Sequence, residues 1–133
     1  MDHQTATLSV LGWSLGAAAG LQFAEKCPVQ DLVLIAPFTT NEDMVKKFTG
    51  IRPGILLLDR FDNLAALSSL CEQNPGLKVT IIHGEKDALI PISMGHRLSE
   101  SVPDRTEFHS VPGAGHHSVF GAARELIYAK LRQ

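Results

Sequence analysis

Cysteine is nearly absent from the chain: Cys27 and Cys71 are the two in 133 residues, they lie far apart, and neither belongs to a C-x-x-C pair. That excludes a disulfide framework and a cysteine-based metal site, and it leaves buried free thiols as the expectation. Neither sign of charge is in surplus. Twelve Lys and Arg against fourteen Asp and Glu, interspersed, give a formal net charge of -2, which offers no basic patch to nucleic acid and no polybasic anchor to a membrane. No apolar run reaches the ~20 residues that a transmembrane helix needs. The start, Met1-Asp2-His3-Gln4, lacks both the basic head and the apolar core of a signal peptide, so a cytoplasmic protein is expected. Internal repeats and low-complexity stretches are also missing, and 44% hydrophobic content suits a single domain over 1–133.

What the chain does have is a serine between glycines. Thr5 to Gly20 reads TATLSVLGWSLGAAAG, with Ser14 at the centre of Gly12-Trp13-Ser14-Leu15-Gly16. A β-rich apolar run enters this stretch and a run of small helix formers leaves it, which puts Ser14 on a strand-to-helix turn, the setting of a nucleophile elbow. A serine hydroxyl is a poor nucleophile unless it is exposed, oriented and served by a base, and a sharp turn exposes and orients it. Gly12 and Gly16 are expected to relieve the crowding on either side, and Ala17 to Gly20 to let the helix lie close on its own strand. The helix N-terminus brings free N–H groups, that of Leu15 first, to where an oxyanion would form. Trp13 is expected to pack beneath the elbow in preference to lining an acyl pocket.

Taken in order, Thr5 to Leu11 reads as a buried strand and Leu15 to Lys26 as a helix with Leu21, Phe23 and Ala24 turned inward, stopped by Cys27-Pro28. Asp31 to Ala36 is a continuous apolar strand of the kind covered on both faces. Asn41 to Phe48 suits a short helix capped by Asn41, Arg52-Pro53-Gly54 a turn, and Asn63 to Cys71 a helix with Leu64, Leu67 and Leu70 at helical spacing. The irregular stretch 41–73 is either a small lid or a plain crossover. Lys78 to His83 is a third strand, Ser93 to Ser101 a helix, Thr106 to Val111 a fourth strand, and Val119 to Leu131 an amphipathic closing helix. The fold class is therefore α/β, with a mostly parallel sheet of about four strands and flanking helices.

In such a sheet the loops at the carboxyl ends of the strands share one rim. Ser14 follows the first strand, Asp87 the third and His116 the fourth, so all three fall on that rim. The expected roles are nucleophile for Ser14, base for His116 in the Gly113-Ala114-Gly115-His116 loop, and orienting acid for Asp87. His117 is the alternative base and Glu85 the lesser candidate acid; Asp87 could instead serve its own turn as a capping carboxylate. His83 reads as a satisfied core group at a strand end. His3, His96 and His109 read as surface or strand positions, too scattered for a metal site.

These motifs resemble the α/β-hydrolase superfamily, particularly its small-lidded members of serine aminopeptidase-like or depalmitoylase-related type. The resemblance rests on Gly12-Trp13-Ser14-Leu15-Gly16, Ala36-Pro37-Phe38-Thr39, Asp59-Arg60-Phe61-Asp62, His83-Gly84-Glu85-Lys86-Asp87 with Ile90-Pro91, and Pro112-Gly113-Ala114-Gly115-His116. It implies a hydrolase acting on an ester, thioester or small amide of a small-molecule acyl substrate, with Ser14, Asp87 and His116 as triad, the Leu15 N–H as one oxyanion donor, and no cofactor. The order Ser, Asp, His along the chain is the one expected of that fold. Relatives carry several elements before the elbow, including the loop that supplies a second oxyanion donor. The chain thus resembles the second half of the domain. From this follow two expectations: an exposed edge on the first strand, open to a homodimer or a complementing chain, and, as the alternative to an active enzyme, a catalytically weak or inactive fragment or interaction module.

Overall fold

The computed structural model describes residues 7–47 and 61–132. Four parallel strands, β1 (Ser9–Trp13), β2 (Asp31–Ile35), β3 (Lys78–Gly84) and β4 (Thr106–Val111), lie side by side in chain order. The helices α1 (Leu15–Lys26), α3 (Asn63–Gln73) and α4 (Ile92–Ser101) connect them, with α2 (Asn41–Lys47) standing between β2 and α3. Because the strands advance in one direction across the sheet, crossovers of one hand must all land on the same face. Leu32, Leu34, Val79 and Ile81 point to that face and form one core with Leu21 and Ala24 of α1, Leu67 and Leu70 of α3, and Leu98 of α4. The chain then turns back through α5 (Ser118–Ala122) and α6 (Arg124–Leu131), which cover the other face by packing Val119, Ala123 and Ile127 on Val33, Ile35 and Ile82. Since the side chains of a strand alternate between faces, β2 must be apolar on both, and all five of its residues are buried.

Several expected boundaries move. The first strand runs to Trp13, four residues of its pairing continuing past Ser9↔Asp31 up to Trp13↔Ile35, and Thr5 and Ala6 lie outside the described residues. Phe23 is exposed, while Leu21 and Ala24 face the core. The closing helix is two helices, broken at Ala123 (φ -98°, ψ 11°). The break is slight, since Ala123 N–H still donates to Val119 O and Ile127 N–H to Ala123 O, and it lets Val119, Ala123 and Ile127 all reach the sheet. Of the two cysteines, Cys71 is buried and Cys27 half-buried, and both are free.

β1 is an end strand of this sheet, pairing with β2 on one side. The stretch after β2 leaves the sheet and returns at one point: Thr40 and Asp62 form an antiparallel bridge, Asn41 N–H donates to Phe61 O, and Asn63 N–H to Thr39 O. Asp62 caps α3 by accepting from Ala65 N–H at 3.0 Å, and α3 packs as a crossover helix through Leu67, Leu70 and Cys71. The turn at Arg52-Pro53-Gly54 and Asp59-Arg60 of the third motif lie outside the described residues. α2 borders the rim: Met44 packs with Ile90 and Met94, and Asp43 accepts from the Thr39 hydroxyl and from Arg97 at 3.0 Å. The Thr39 bond, and then the nearby Arg97 charge, hold the Asp43 carboxyl below its usual range.

At the opposite end of the sheet Arg105, just ahead of β4, donates to the carbonyls of Cys71, Asn74 and Leu77 at 2.6–3.0 Å. It closes the turn between α3 and β3. Among the described residues no helix is long and apolar enough to cross a membrane.

Candidate active site

β1 delivers the chain to Ser14, whose N–H still donates to Ile35 O at 2.8 Å as though the strand continued. Its φ of 58° and ψ of -120° then turn the backbone sharply into α1. A non-glycine residue with such a φ is held there by its surroundings. One of those surroundings is Gly12. A Cβ on it would stand 2.5 Å from Gly16 O and 2.7 Å from Ala17 Cα, so the strand and the first turn of α1 touch only because that side chain is missing. Gly16 does not share this role: a Cβ there would meet nothing within 4 Å among the described residues, because it sits on the outer side of the turn. Ala17, Ala18 and Gly20 are buried along the strand as their small size suggests, whereas Ala19 faces out. Leu15 opens α1, so its N–H belongs to the first turn, which has no intrahelical acceptor.

Asp87 is held by its own turn. Its Oδ1 accepts from the N–H groups of Leu89 at 2.9 Å and Ile90 at 2.8 Å, and its Oδ2 receives the Nδ1–H of His116 at 2.9 Å. Asp87 therefore caps its turn and binds the histidine with separate oxygens. Its side chain is wholly buried and the His116 ring nearly so, while Glu85 and His117 are exposed. The loop that carries His116 is fixed from both ends, by Lys86 N–H on Ala114 O at 2.9 Å and Gly115 N–H on the Ser118 hydroxyl at 2.8 Å. Gly113 supplies the left-handed bend it needs, with φ 72°.

Gly84 makes room for that loop: a Cβ on it would lie 2.3 Å from Ala114 O and 2.9 Å from Ala114 C. Both are backbone atoms and cannot swing aside. Gly84→Ala is expected to displace the His116 loop and to cost about 1–3 kcal/mol of stability, roughly 3–18 °C in Tm for a chain of this size. Thermal unfolding checks it. An unshifted Tm would show that the loop yields freely.

Two side chains differ from the sequence reading. Trp13 does not pack beneath the elbow; it is 37% exposed, and its ring stacks on that of His116 at a centroid distance of 5.7 Å and 28° between planes. The pairing was not visible in the sequence, where 103 residues separate them. His83 is fully buried but only half satisfied. Its Nε2–H donates to Ile90 O at 2.8 Å, with Asp87 Oδ2 3.6 Å away, whereas Nδ1 has no hydrogen-bond partner among the described residues. Nδ1 faces Gly95, whose missing side chain leaves it that space. A ring placed so is neutral, and burial lowers its pKa from the ordinary value despite the opposing pull of the Ile90 carbonyl and Asp87.

A native group that resists a proton which the unfolded chain accepts makes stability fall as pH falls. The contribution of His83 is complete above its ordinary pKa of about 6.5 and declines below it. His83→Gln, which keeps a donor for Ile90 O without a titrating ring, is expected to lose less stability than the parent between pH 7 and pH 5. Denaturant unfolding at several pH values measures this, and parallel curves would refute it.

His96 and His109 are surface groups, His96 stacked on Phe108 at 4.1 Å and His109 beside Glu107 at 2.7 Å; His3 lies outside the described residues. Among the described residues no three His, Cys, Asp or Glu side chains gather to hold a metal. A groove of about 540 Å³ lies at the amino ends of the strands, lined by Asp31, Thr80, Arg105 and Glu107 among others; Ser14, Asp87 and His116 take no part in it.

No protein-family model matches the chain. The uncharacterized protein Rv2307c of Mycobacterium tuberculosis is 28% identical over 117 residues, which are 87% of this chain and 40% of that protein. The chain thus spans well under half the length of the curated relatives it matches. Among solved structures, the esterase domain of a Rhodothermus marinus protein superposes with a TM-score of 0.70 at 18% identity, over 91% of this chain and 59% of that one. A lipase-esterase related protein of Clostridium acetobutylicum gives 0.67 at 17% identity, over 97% and 68%. Sheet order, helix placement and these superpositions agree: the chain has the α/β-hydrolase fold, over a share of it consistent with the C-terminal half.

Proposed function

We propose that this chain carries the reacting groups of a serine hydrolase that cleaves an ester, thioester or small amide through an acyl-enzyme. The observation that carries the proposal is the buried Asp87–His116 hydrogen bond, set on the same rim as a serine held at positive φ. In this reading Asp87 accepts from Nδ1–H and thereby leaves Nε2 of His116 bare. Nε2 takes the Ser14 proton as Oγ attacks the acyl carbon, then returns it to the leaving alkoxide, thiolate or amine; water repeats the cycle on the acyl-enzyme. The Leu15 N–H donates to the oxyanion. Esterases among the structural neighbours support the reaction class, and no step calls for a metal or nucleotide. The exposed apolar side chains on the segments at the rim, Leu15, Leu89 and Phe120, favour an apolar small-molecule acyl substrate, a thioester included. A small lid within 41–73 and a cytoplasmic location belong to the same proposal.

A second reading is favoured by one observation, the partial coverage of relatives and neighbours. A catalytically weak module would keep the nucleophile and its base but receive the second oxyanion donor from elsewhere, with the free edge of β1 taking the strand of a second copy or a complementing chain. Losing one such donor typically costs about 10²–10³ in turnover.

The test is hydrolysis of p-nitrophenyl acetate and butyrate by the purified chain, with a fluorophosphonate label mapped by mass on the same sample. Label on Ser14 with turnover supports the enzyme; label on Ser14 without turnover supports the weak module. No label at Ser14 ends the enzyme reading and leaves an inactive fragment or interaction module.

A further inference from the structure

Trp13, the one tryptophan of the chain, stands between Gly12 and Ser14 and is far from buried. Its aromatic contacts and its side-chain hydrogen bond, among the described residues, converge on one segment. The indole Nε1–H donates to the backbone carbonyl of His116 at 3.3 Å, and the ring plane lies along the His116 imidazole. It also meets His117 edge-on at 5.9 Å and Phe120 at 6.2 Å. A half-exposed indole that made these contacts for burial alone would have no need of the hydrogen bond.

We propose that Trp13 is the positioning residue for His116, tying the base to the elbow through the residue covalently next to the nucleophile. The inference rests on the triad reading above. Asp87 holds the His116 ring at a single point, Nδ1, and one hydrogen bond leaves the ring free to turn about the line joining the two atoms. A stacked plane removes that freedom, and a bond to the carbonyl of the same residue fixes the backbone beneath it. Asp87 thus sets the tautomer while Trp13 sets the plane. The loop's own bonds, Lys86 N–H on Ala114 O and Gly115 N–H on the Ser118 hydroxyl, hold its backbone and leave the plane of the imidazole unset. Since the indole and Ser14 Oγ hang from adjacent residues, any shift of the elbow carries the base with it.

Trp13→Ala removes both the stack and the hydrogen bond; Trp13→Phe keeps an aromatic plane and removes the donor. A base displaced by about 1 Å costs on the order of 10² in rate. We expect kcat for p-nitrophenyl butyrate to fall about 10²-fold in Trp13→Ala with KM within about twofold, and Trp13→Phe to recover most of the loss. The His116 Nδ1–H proton resonance, read by NMR, supplies a measure that needs no catalysis: sharp in the parent, broadened or shifted in Trp13→Ala, partly restored in Trp13→Phe. A variant whose His116 resonance matches the parent overturns the proposal. So does a rise in KM at constant kcat, which would make the indole a substrate wall. Should the parent fail to label at Ser14, the hydrolase reading falls, and the resonance alone then decides whether the indole holds the ring.

Discussion

Ser14→Gly is expected to give a more stable protein that hydrolyses nothing, and Ser14→Ala an equally inactive one of unchanged stability. The reason is the conformation at the elbow. With φ 58° and ψ -120°, Ser14 sits at positive φ, a region that glycine enters without the clash of a Cβ. Holding another residue there costs about 1–3 kcal/mol, and the strain comes from Cβ, which alanine shares. Glycine relieves it but gives back about 0.5–1 kcal/mol through the freedom it adds to the unfolded chain. The net gain is about 1 kcal/mol, or roughly 3–6 °C in Tm. Loss of the serine of a working triad lowers kcat on the order of 10⁶. Thermal unfolding of the three proteins beside their esterase rates checks both halves. A Ser14→Gly melting no higher than Ser14→Ala would show that the elbow stores no strain.

Asp87→Asn is expected to leave the fold intact and to cut turnover by about 10⁴. Both N–H groups that point at Oδ1, from Leu89 and Ile90, require an acceptor there. The amide oxygen must therefore take that place, which turns the NH₂ group toward His116 Nδ1. Nδ1 then becomes the acceptor, the ring proton moves to Nε2, and the nitrogen that should take the serine proton already holds one. The size of the effect is that measured when the equivalent change is made in a serine protease. Asp87→Ala would add a stability loss, because it leaves the buried N–H of Ile90 and the partly buried N–H of Leu89 without their acceptor. Rates and melting curves for the pair separate these effects; an Asp87→Asn protein with near-parental kcat would remove Asp87 from the mechanism.

Much of this architecture could be read from the chain, for identifiable reasons. α1 and β4 begin and end where expected, since each is bounded by residues with strong local meaning, Ser14 and Cys27-Pro28 for the helix, Asp104 and Pro112-Gly113 for the strand. The two apolar faces of β2 follow from its near-continuous hydrophobic run. The misplaced features all depend on three-dimensional neighbours. β1 continues to Trp13 because β2 offers it partners up to Ile35. Gly12 and Gly16 look equivalent in the motif, yet the turn places one against backbone and the other toward open space. The break at Ala123 serves burial on the sheet, which helical periodicity does not reveal. At the site, chain order brought Asp87 and His116 to one rim, but the stack of Trp13 on His116 and the unpartnered nitrogen of His83 arise from packing between distant segments.

Arg105 gives the two ends of the sheet opposite responses to acid. Its three acceptors are peptide carbonyls, which do not titrate, and a guanidinium stays charged throughout the range in which proteins fold. That clasp is therefore indifferent to pH, whereas the rim includes His83, a buried histidine that burial keeps neutral. Acidification loosens the chain from the rim downward. The peptide groups around Asn74 and Leu77, locked beneath Arg105, keep their protons from exchange after those beside Ser14 and His116 have begun to lose theirs.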